Sequence, residues 1–402
     1  MAGIARSIYG GPGAARDRCA APRKLAEATR VRYPEQMGKR IGFGGLLVIL
    51  SACGGSVDRT PATSDPVAAP PRDGEQGLYL PTKAGGPDHV ADGVGTPSAI
   101  AMTADRVVFT THDTMVGGER VAAGALFVAD KRVGPALLLG IDHQGASFDA
   151  LTTDGTTAFV ATSDARLLGA PVAGGATTTL ATLAAPAVAL ATSGTHVYVA
   201  TNSGALARVA KSGGAVEPLA TIAGAIRGLE ADDVAVYVAT GAAAGAPAGI
   251  VRVPLDGGAT TVLSSGNEPC AMIRNGRSLF WTSLAAMTGT TTKLDKGEVL
   301  RLSLDGGPVA TVASGAFTAC AIAADQDSLY FATTLPSALP ARSGGSNAAP
   351  SSGLGLMRAP IAGGQPVAIA AASKALAQPG AVAVDASHVY WLTESAVLRL
   401  AK

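Results

Sequence analysis

A short apolar pattern typical of a β-strand returns seven times along the chain. Each copy has an apolar residue or alanine, an apolar or aromatic residue, an apolar residue, a small residue or leucine, and a threonine or serine. Runs rich in β-branched and aromatic residues favour strands. The copies begin 39 to 60 residues apart, 47 on average, which is a period typical of propellers and solenoids. They are 107–111 (VVFTT), 158–162 (AFVAT), 197–201 (VYVAT), 236–240 (VYVAT), 279–283 (LFWTS), 329–333 (LYFAT) and 389–393 (VYWLT).

Each copy belongs to a larger unit with one plan. A short run of small and apolar residues, such as 187–192, and a polar turn precede it, and two apolar runs around a Gly-Gly pair follow it, as in 205–221. Gly-Gly between apolar runs predicts a hairpin, because primed turns need positive φ. Each unit therefore predicts four antiparallel strands, which we name a to d in chain order and which together make one propeller blade.

The ends of the repeat predict how the ring closes. The last unit supplies strands a, b and c and stops at 396–402, without room for d. Segment 77–92 has its own Gly-Gly turn and a following strand, so it can complete that blade and remove an exposed edge. The repeats resemble the Tyr-Trp-Thr-Asp and NHL classes of propeller over about 320 residues, with 389–393 nearest. We predict an all-β propeller at 77–402 of about seven four-stranded blades, with six as the alternative, its ring closed by an N-terminal strand.

Composition restricts the classes of function. Charged residues make up 15% and the formal net charge is +1, so no nucleic-acid partner is expected. A hydrophobic fraction of 48% argues against disorder over most of the chain. The cysteines form no C-x-x-C pair, which argues against a zinc site or a thioredoxin-type motif.

The stretch 37–55 (MGKRIGFGGLLVILSACGG) has the layout of an export signal. Its apolar part, 41–50, follows a basic pair and would span roughly 15 Å as a helix, too short to cross a bilayer but typical of a secretory signal peptide. Residues 50–53 (LSAC) resemble the lipobox of bacterial lipoproteins. That resemblance implies cleavage before Cys53 and acylation of its thiol, with the lipid bilayer as a partner. A buried apolar strand followed by a chance cysteine is the alternative.

The same resemblance implies a domain plan. Residues 1–36 are polar and unlike the start of a signal peptide, so we expect translation to begin at Met37, with a cytoplasmic extension as the alternative. Residues 37–52 would be the signal peptide. Residues 53–76 would be the lipidated cysteine and a disordered tether rich in Pro, Ser, Asp and Gly. Gly54, rather than Asp, follows the anchor, which by analogy with enterobacterial lipoproteins implies the outer membrane, facing the periplasm or the cell surface.

Six of the predicted a–b turns carry Asp, Asn or Ser at one position, five residues before the aromatic position of strand b. A ring of carboxylates would suit a metal, but the same residue types are what Asx and ST turns require, so we interpret them as turn residues. His196 and His388 also lie at matching places and are interpreted as exposed turn residues. The six turn residues are Asp154, Ser193, Asp232, Asn275, Asp325 and Asp385.

Cys270 and Cys320 each lie ten residues before the aromatic position of their unit, at the start of the a strands of adjacent blades. Neighbouring a strands approach closely there and an exported protein meets an oxidising compartment, so we predict a disulfide, with two buried thiols as the alternative. Asp149 and Arg227 occupy the same position in other units. They would form either a polar pair facing a ligand or a solvated ion pair.

Every long insertion falls between strands b and c and therefore on one face of the disc, which we call the loop face; the opposite face is the turn face. Loops on a rigid scaffold commonly carry binding sites. The insertions are 112–124, 241–249, 284–297 and 335–353. The candidate ligand- or partner-binding residues are Glu119, Arg120, Asp149, Arg227, Lys293, Asp295, Lys296 and Arg342.

The sequence contains no P-loop, H-E-x-x-H or G-x-S-x-G signature, so we assign no catalytic residue, metal or cofactor. The leading hypothesis is a membrane-anchored, non-enzymatic binding or scaffold lipoprotein with an unidentified protein or small ligand on the loop face. The alternative is a propeller hydrolase or lactonase with a metal at the channel mouth, for which Asp149 is the one carboxylate in place.

Overall fold

Seven four-stranded antiparallel sheets form a ring in the computed structural model, and one two-stranded hairpin lies within the first blade. The predicted all-β propeller is confirmed, with seven blades. The structure describes residues 87–402 apart from 117–118, 122, 132–135, 142–144, 244, 284–296, 316–317, 335–353, 371–380 and 394. The segments predicted at 1–36, 37–52 and 53–76 lie outside the described residues.

Blades 1 to 6 each take strands a to d in chain order from the inside outward. Blade 1 has β2 (Pro97–Met102), β3 (Arg106–Thr111), β6 (Ala125–Asp130) and β7 (Leu137–Ile141), with β4 (Thr114–Val116) and β5 (Glu119–Val121) inserted as the hairpin. Blade 2 has β8 (Phe148–Thr153), β9 (Thr157–Thr162), β10 (Arg166–Pro171) and β11 (Thr178–Thr182). Blade 3 has β12 (Ala187–Ser193), β13 (His196–Thr201), β14 (Ala205–Ala210) and β15 (Glu217–Thr221).

Blade 4 has β16 (Ile226–Ala231), β17 (Ala235–Thr240), β18 (Gly249–Pro254) and β19 (Thr261–Ser265). Blade 5 has β20 (Pro269–Asn275), β21 (Ser278–Ser283), β22 (Gly297–Ser303) and β23 (Ala310–Gly315). Blade 6 has β24 (Thr318–Ala324), β25 (Ser328–Thr334), β26 (Leu354–Pro360) and β27 (Val367–Ala370). Blade 7 has β28 (Val382–Val384), β29 (His388–Leu392) and β30 (Ala396–Ala401), and β1 (Asp88–Asp92) is its strand d.

The hydrophobic core lies between the blades. The a strands contact one another all the way round the central channel, and the b strands bury their large side chains on both sides of each sheet. Trp281, for example, is fully buried against Tyr237 and Ile250 of blade 4 and Leu300 of its own blade. Because both faces of a blade are covered by neighbours, strand b reads as a continuous apolar run rather than an alternating one.

The ring closes through β1, as predicted. This strand pairs antiparallel with β30 and places Asp88 opposite Arg399. Two guanidinium nitrogens of Arg399 donate to the same Asp88 oxygen at 3.0 and 3.2 Å, and Arg399 is only 8% exposed. An ion pair between residues 311 positions apart therefore fastens the first described strand to the last.

The a–b turns are held by their acidic residues. Asp154 accepts hydrogen bonds from the amides of Thr156 and Thr157, and Asp232, Asp325 and Asp385 make the same two bonds. Burial alone would raise the pKa of Asp154, but these amide bonds, with further bonds from the Thr156 hydroxyl and Lys211, outweigh burial and hold the pKa at about 2. These contacts agree with the interpretation of the carboxylates as turn residues.

Three of these turns are also fastened to the next blade by a lysine that follows its strand c. We call such an Asp–Lys contact a clasp. The clasps are Lys211 with Asp154 at 3.1 Å, Lys131 with Asp385 at 3.3 Å, and Lys402 with Asp325. Where the turn residue is uncharged, the residue at the lysine position of the next blade is apolar: Thr103 is matched by Val172, Ser193 by Leu255 and Asn275 by Ile361. Charged residues thus occur at this interface in pairs, with Asp232 as the exception: the lysine position of the next blade is Leu304. Asp232 is stabilised instead by hydrogen bonds from the Val234 and Ala235 amides and the Tyr237 hydroxyl, with a smaller contribution from the charge of Arg274.

We expect Asp88→Ala to lower the free energy of unfolding by about 2 kcal/mol, because Arg399 loses its carboxylate partner while buried. This loss of stability is smaller than the loss expected for a fully buried ion pair, because the Asp88 side chain is partly exposed to solvent. Glu217→Ala is the matched control, since Glu217 faces Arg208 at the same cross-strand position of blade 3 and both side chains are more exposed. That control should change stability by less than about 0.5 kcal/mol. Urea denaturation measures both, and equal effects would contradict a special role for the closing pair.

Candidate functional site

Six of the a strands begin on the loop face, and each has a β-bulge at the equivalent position of its blade. The register of the a–b pair shifts across one residue at the start of each strand, and a bulged residue is left out of the ladder so that its side chain is re-aimed. We call these six residues the channel rim. They are Ser98, Asp149, Val188, Arg227, Cys270 and Cys320. The equivalent residue of blade 7, Gly380, lies outside the described residues.

A disulfide joins two rim residues, Cys270 of β20 and Cys320 of β24. Their Cα atoms are 4.9 Å apart and they lie 50 positions apart in the sequence. The bond therefore links blades 5 and 6 across the point where two a strands meet, which is the pairing expected from the matching positions of the two cysteines.

Asp149 lies in a small polar cluster at the rim between blades 1 and 2. The Ser147 hydroxyl donates to Asp149 Oδ1 at 2.6 Å, and His112 Nδ1 lies 3.7 Å from the same oxygen. A hydrolytic triad needs the histidine between the serine and the carboxylate. Here the serine and the histidine both approach the carboxylate, so the cluster has the residue types of a triad but not its geometry.

Arg227 has a different partner. Its guanidinium lies 3.7 Å from Oε1 of Glu268, the residue directly before β20, and the two side chains are 42% and 41% exposed. The structure therefore does not bring Arg227 and Asp149 together as one pair. Blade 3 lies between them and contributes Val188, which is 43% exposed.

The first insertion folds as the β4–β5 hairpin, in which Val116 pairs with Glu119. Asp113 supports its base, since Asp113 Oδ1 accepts a hydrogen bond from the Thr96 amide at 2.7 Å. Glu119 is exposed on this hairpin, and Arg120 lies beside it in β5. The other predicted loop-face residues, Lys293, Asp295, Lys296 and Arg342, and the predicted anchor Cys53, lie outside the described residues.

Sequence reasoning missed three polar residues of this face: His112, Ser147 and Glu268. Each directly follows a b strand or directly precedes an a strand. An alignment of the seven units would have shown polar residues directly after strand b or directly before strand a. Those positions lie at the loop-face ends of the strands and could have been predicted to belong to this face.

Within the described ranges, no group of three or more His, Cys, Asp or Glu side chains is placed to hold a metal ion. In the same part of the chain, no helix is long and apolar enough to cross a membrane.

No protein-family model matches the sequence, and no curated protein matches it. The similar solved structures are propellers of very different sequence. The extracellular domain of the hybrid two-component system BT4673 from B. thetaiotaomicron is 11% identical with a TM-score of 0.54, over 78% of this chain and 39% of that one. The chain thus spans about two-fifths of that domain's length.

YCF48 bound to D1 peptide is 11% identical, with a TM-score of 0.54 over 81% of this chain and 97% of that one. The GH74 enzyme of Niastella koreensis is 13% identical, with a TM-score of 0.57 over 78% and 53%. These likenesses show the seven-bladed propeller fold. They include a peptide-binding protein and an enzyme, so the fold by itself indicates neither function.

Glu230, three residues beyond Arg227 in β16, is a half-buried acid on an inner strand. Burial raises its pKa to about 7, although the positive charge of Arg274 and a hydrogen bond from the Arg274 amide act in the opposite direction. An ordinary glutamate is fully ionised at neutral pH, whereas Glu230 titrates there.

We expect the stability of the folded protein to fall between about pH 4.5 and about pH 7 because of Glu230. Its folded-state pKa lies above the unfolded value, so the bound proton stabilises the fold at low pH and this contribution is lost as the pH rises through 7. Glu230→Gln should therefore be more stable than the wild type at pH 8, by up to about 3 kcal/mol, and nearly equal to it at pH 4.5. Urea midpoints across this range measure the difference. Glu268→Gln, an exposed control, should follow the wild-type profile, and a Glu230→Gln profile parallel to the wild type would refute the assignment.

Proposed function

We propose that this protein is a non-enzymatic binding or scaffold module whose partner, a protein or a small ligand, docks on the loop face of the propeller. The observation that supports this most is the channel rim, where six side chains of five residue types occupy one repeated backbone position. The rim residues Asp149 and Arg227, with Glu268 beside Arg227, supply both signs of charge on either side of the exposed Val188. A small apolar centre with a polar, charged border is the arrangement that protein interfaces use.

The described part of the rim favours binding over hydrolysis. Asp149 is held by Ser147 and His112 in an arrangement unsuited to nucleophile activation. The carboxylate of Glu268, beside the rim, lies 3.7 Å from the guanidinium of Arg227. A hydrolase that uses a hard cation would instead direct several oxygen ligands at one point.

We further infer that the propeller is tethered to the outer membrane through an acylated Cys53. The support is the lipobox-like segment 50–53 behind an apolar stretch of signal-peptide length, and the Pro- and Ser-rich composition of 54–76. A 23-residue tether of this composition would have a mean reach of roughly 26 Å, which would let the propeller lie beside the bilayer without fixing its orientation.

Photo-crosslinking in cells tests the docking face. A photoreactive amino acid at Glu119 or Arg227, both on the loop face, should give a discrete protein adduct. The same probe at Asp256, exposed in the c–d turn of blade 4 on the turn face, should give none. An adduct of the same mass from Asp256 would contradict the choice of face, and no adduct from any position would contradict a protein partner.

Metabolic labelling tests the anchor. Tritiated palmitate should label the protein expressed from Met37, and Cys53→Ser should abolish the label, because the thiol is the acylated atom. Cys270→Ser is the matched control, since it removes a cysteine distant from the lipobox. A label that survives in Cys53→Ser would show that the anchor is elsewhere or absent.

A further inference from the structure

The turn face carries grooves between adjacent blades at equivalent positions. One, of about 430 Å³, lies between blades 5 and 6 and is lined by Asn275, Phe280, Arg301, Gln326 and Ile361, among others. A second, of about 440 Å³, lies between blades 7 and 1, and its equivalent residues are Asp385, Tyr390, Arg399, Ala104 and Lys131. The two grooves have the same origin in the repeat and nearly the same volume, so their chemistry can be compared position by position.

In the groove between blades 7 and 1, carboxylates of the protein balance the positive charges of Lys131 and Arg399. Lys131 pairs with Asp385 in a clasp, and Arg399 pairs with Asp88 on strand d. Each cation in this groove therefore has a carboxylate of the protein beside it.

The groove between blades 5 and 6 lacks those carboxylates. Asn275 stands at the position of Asp385, and Ile361 stands at the position of Lys131. Opposite Arg301, strand d presents Ala310, whereas it presents Asp88 opposite Arg399. Among the described residues, Arg301 therefore has no acidic partner, unlike Arg399 at the equivalent position of the other groove.

Arg301 is nevertheless held in place. Its Nε donates to the Ser278 hydroxyl at 3.1 Å, and the guanidinium carbon lies 5.7 Å from the centre of the Phe280 ring. No described residue hydrogen-bonds its two terminal nitrogens. A guanidinium oriented in this way presents two parallel N–H donors, which match the two oxygens of a carboxylate.

The remaining lining of the groove is polar and almost neutral. Arg277 and Asp305 pair with each other at 2.5 Å. The Asn275 amide nitrogen donates to the Asp325 carbonyl at 2.6 Å, which leaves its oxygen as an acceptor. Ser303 and Gln326 add a hydroxyl and a second amide. Hydroxyls and amides of this kind suit a ligand with several hydroxyl groups.

We propose that the groove between blades 5 and 6 binds a hydroxylated carboxylate of the acidic-sugar class. Arg301 pairs with the carboxylate, and Asn275, Ser303 and Gln326 hydrogen-bond the hydroxyl groups. One unpaired positive charge matches a singly charged anion, and the volume lies in the range of small-molecule sites. This site is on the turn face and stands apart from the proposed docking on the loop face.

Saturation-transfer NMR and calorimetry with glucuronate test the proposal on the purified full-length protein. Glucuronate should bind saturably, and glucose, which lacks the carboxylate, should bind at least about tenfold more weakly. Arg301→Gln should weaken glucuronate binding by about tenfold or more. Arg358→Gln is the matched control: Arg358 donates to Ser328 at 2.9 Å and lies over Tyr330 in the next groove. That variant should bind glucuronate as the wild type does.

A second variant tests the groove without removing the arginine. Asn275→Asp restores the carboxylate found in the other turns and should weaken glucuronate binding several-fold by repelling the ligand. Unchanged melting midpoints establish that each variant is folded. The proposal is overturned if glucose or inorganic phosphate binds as tightly as glucuronate. It is also overturned if Arg301→Gln has no effect, or if Arg358→Gln loses binding equally.

Discussion

The pairing of β1 with β30 is the interaction on which the rest of the structure depends. Each blade is apolar on both faces and is stable only between two neighbours, so an open row of seven would leave two apolar faces and one unpaired edge in water. Strand pairing at this seam makes the last blade complete, and the buried Arg399–Asp88 contact fixes its register. The channel, its rim and the inter-blade grooves exist only once this seam is closed.

Charged residues at the blade interfaces also depend on the neighbouring blade. A turn aspartate accompanies a lysine in the next blade, as for Asp154 and Lys211, whereas an uncharged turn residue such as Asn275 accompanies an apolar one. A buried charge without a partner is costly, so the two positions are constrained together across the interface. Arginine itself recurs at this strand c position, as at Arg358, so what sets Arg301 apart from Arg399 is the lack of a described carboxylate opposite it.

The sequence predicted the parts of this fold that repeat. Strand b is covered on both sides in every blade, so its apolar pattern survives in each unit, and the place of Cys270 and Cys320 within that pattern was enough to pair them. What depends on contacts between units was not predictable from a single unit. The β4–β5 hairpin lies in an insertion that has no counterpart in the repeat. His112, beside Asp149, and Glu268, beside Arg227, lie next to strands of adjacent blades, so these contacts depend on which blades are neighbours.

The bulge at the start of the a strands explains how one scaffold can present variable chemistry at a fixed place. A bulged residue contributes nothing to the ladder that a particular side chain would be needed for, so the position accepts Ser, Asp, Val, Arg and Cys without changing the backbone. The position ten residues later in each unit belongs to strand b and stays apolar or aromatic, because it packs between blades. The residue that varies in chemistry and the residue that packs the core thus occupy different positions of the same repeat, so the rim residues can differ without changing the core.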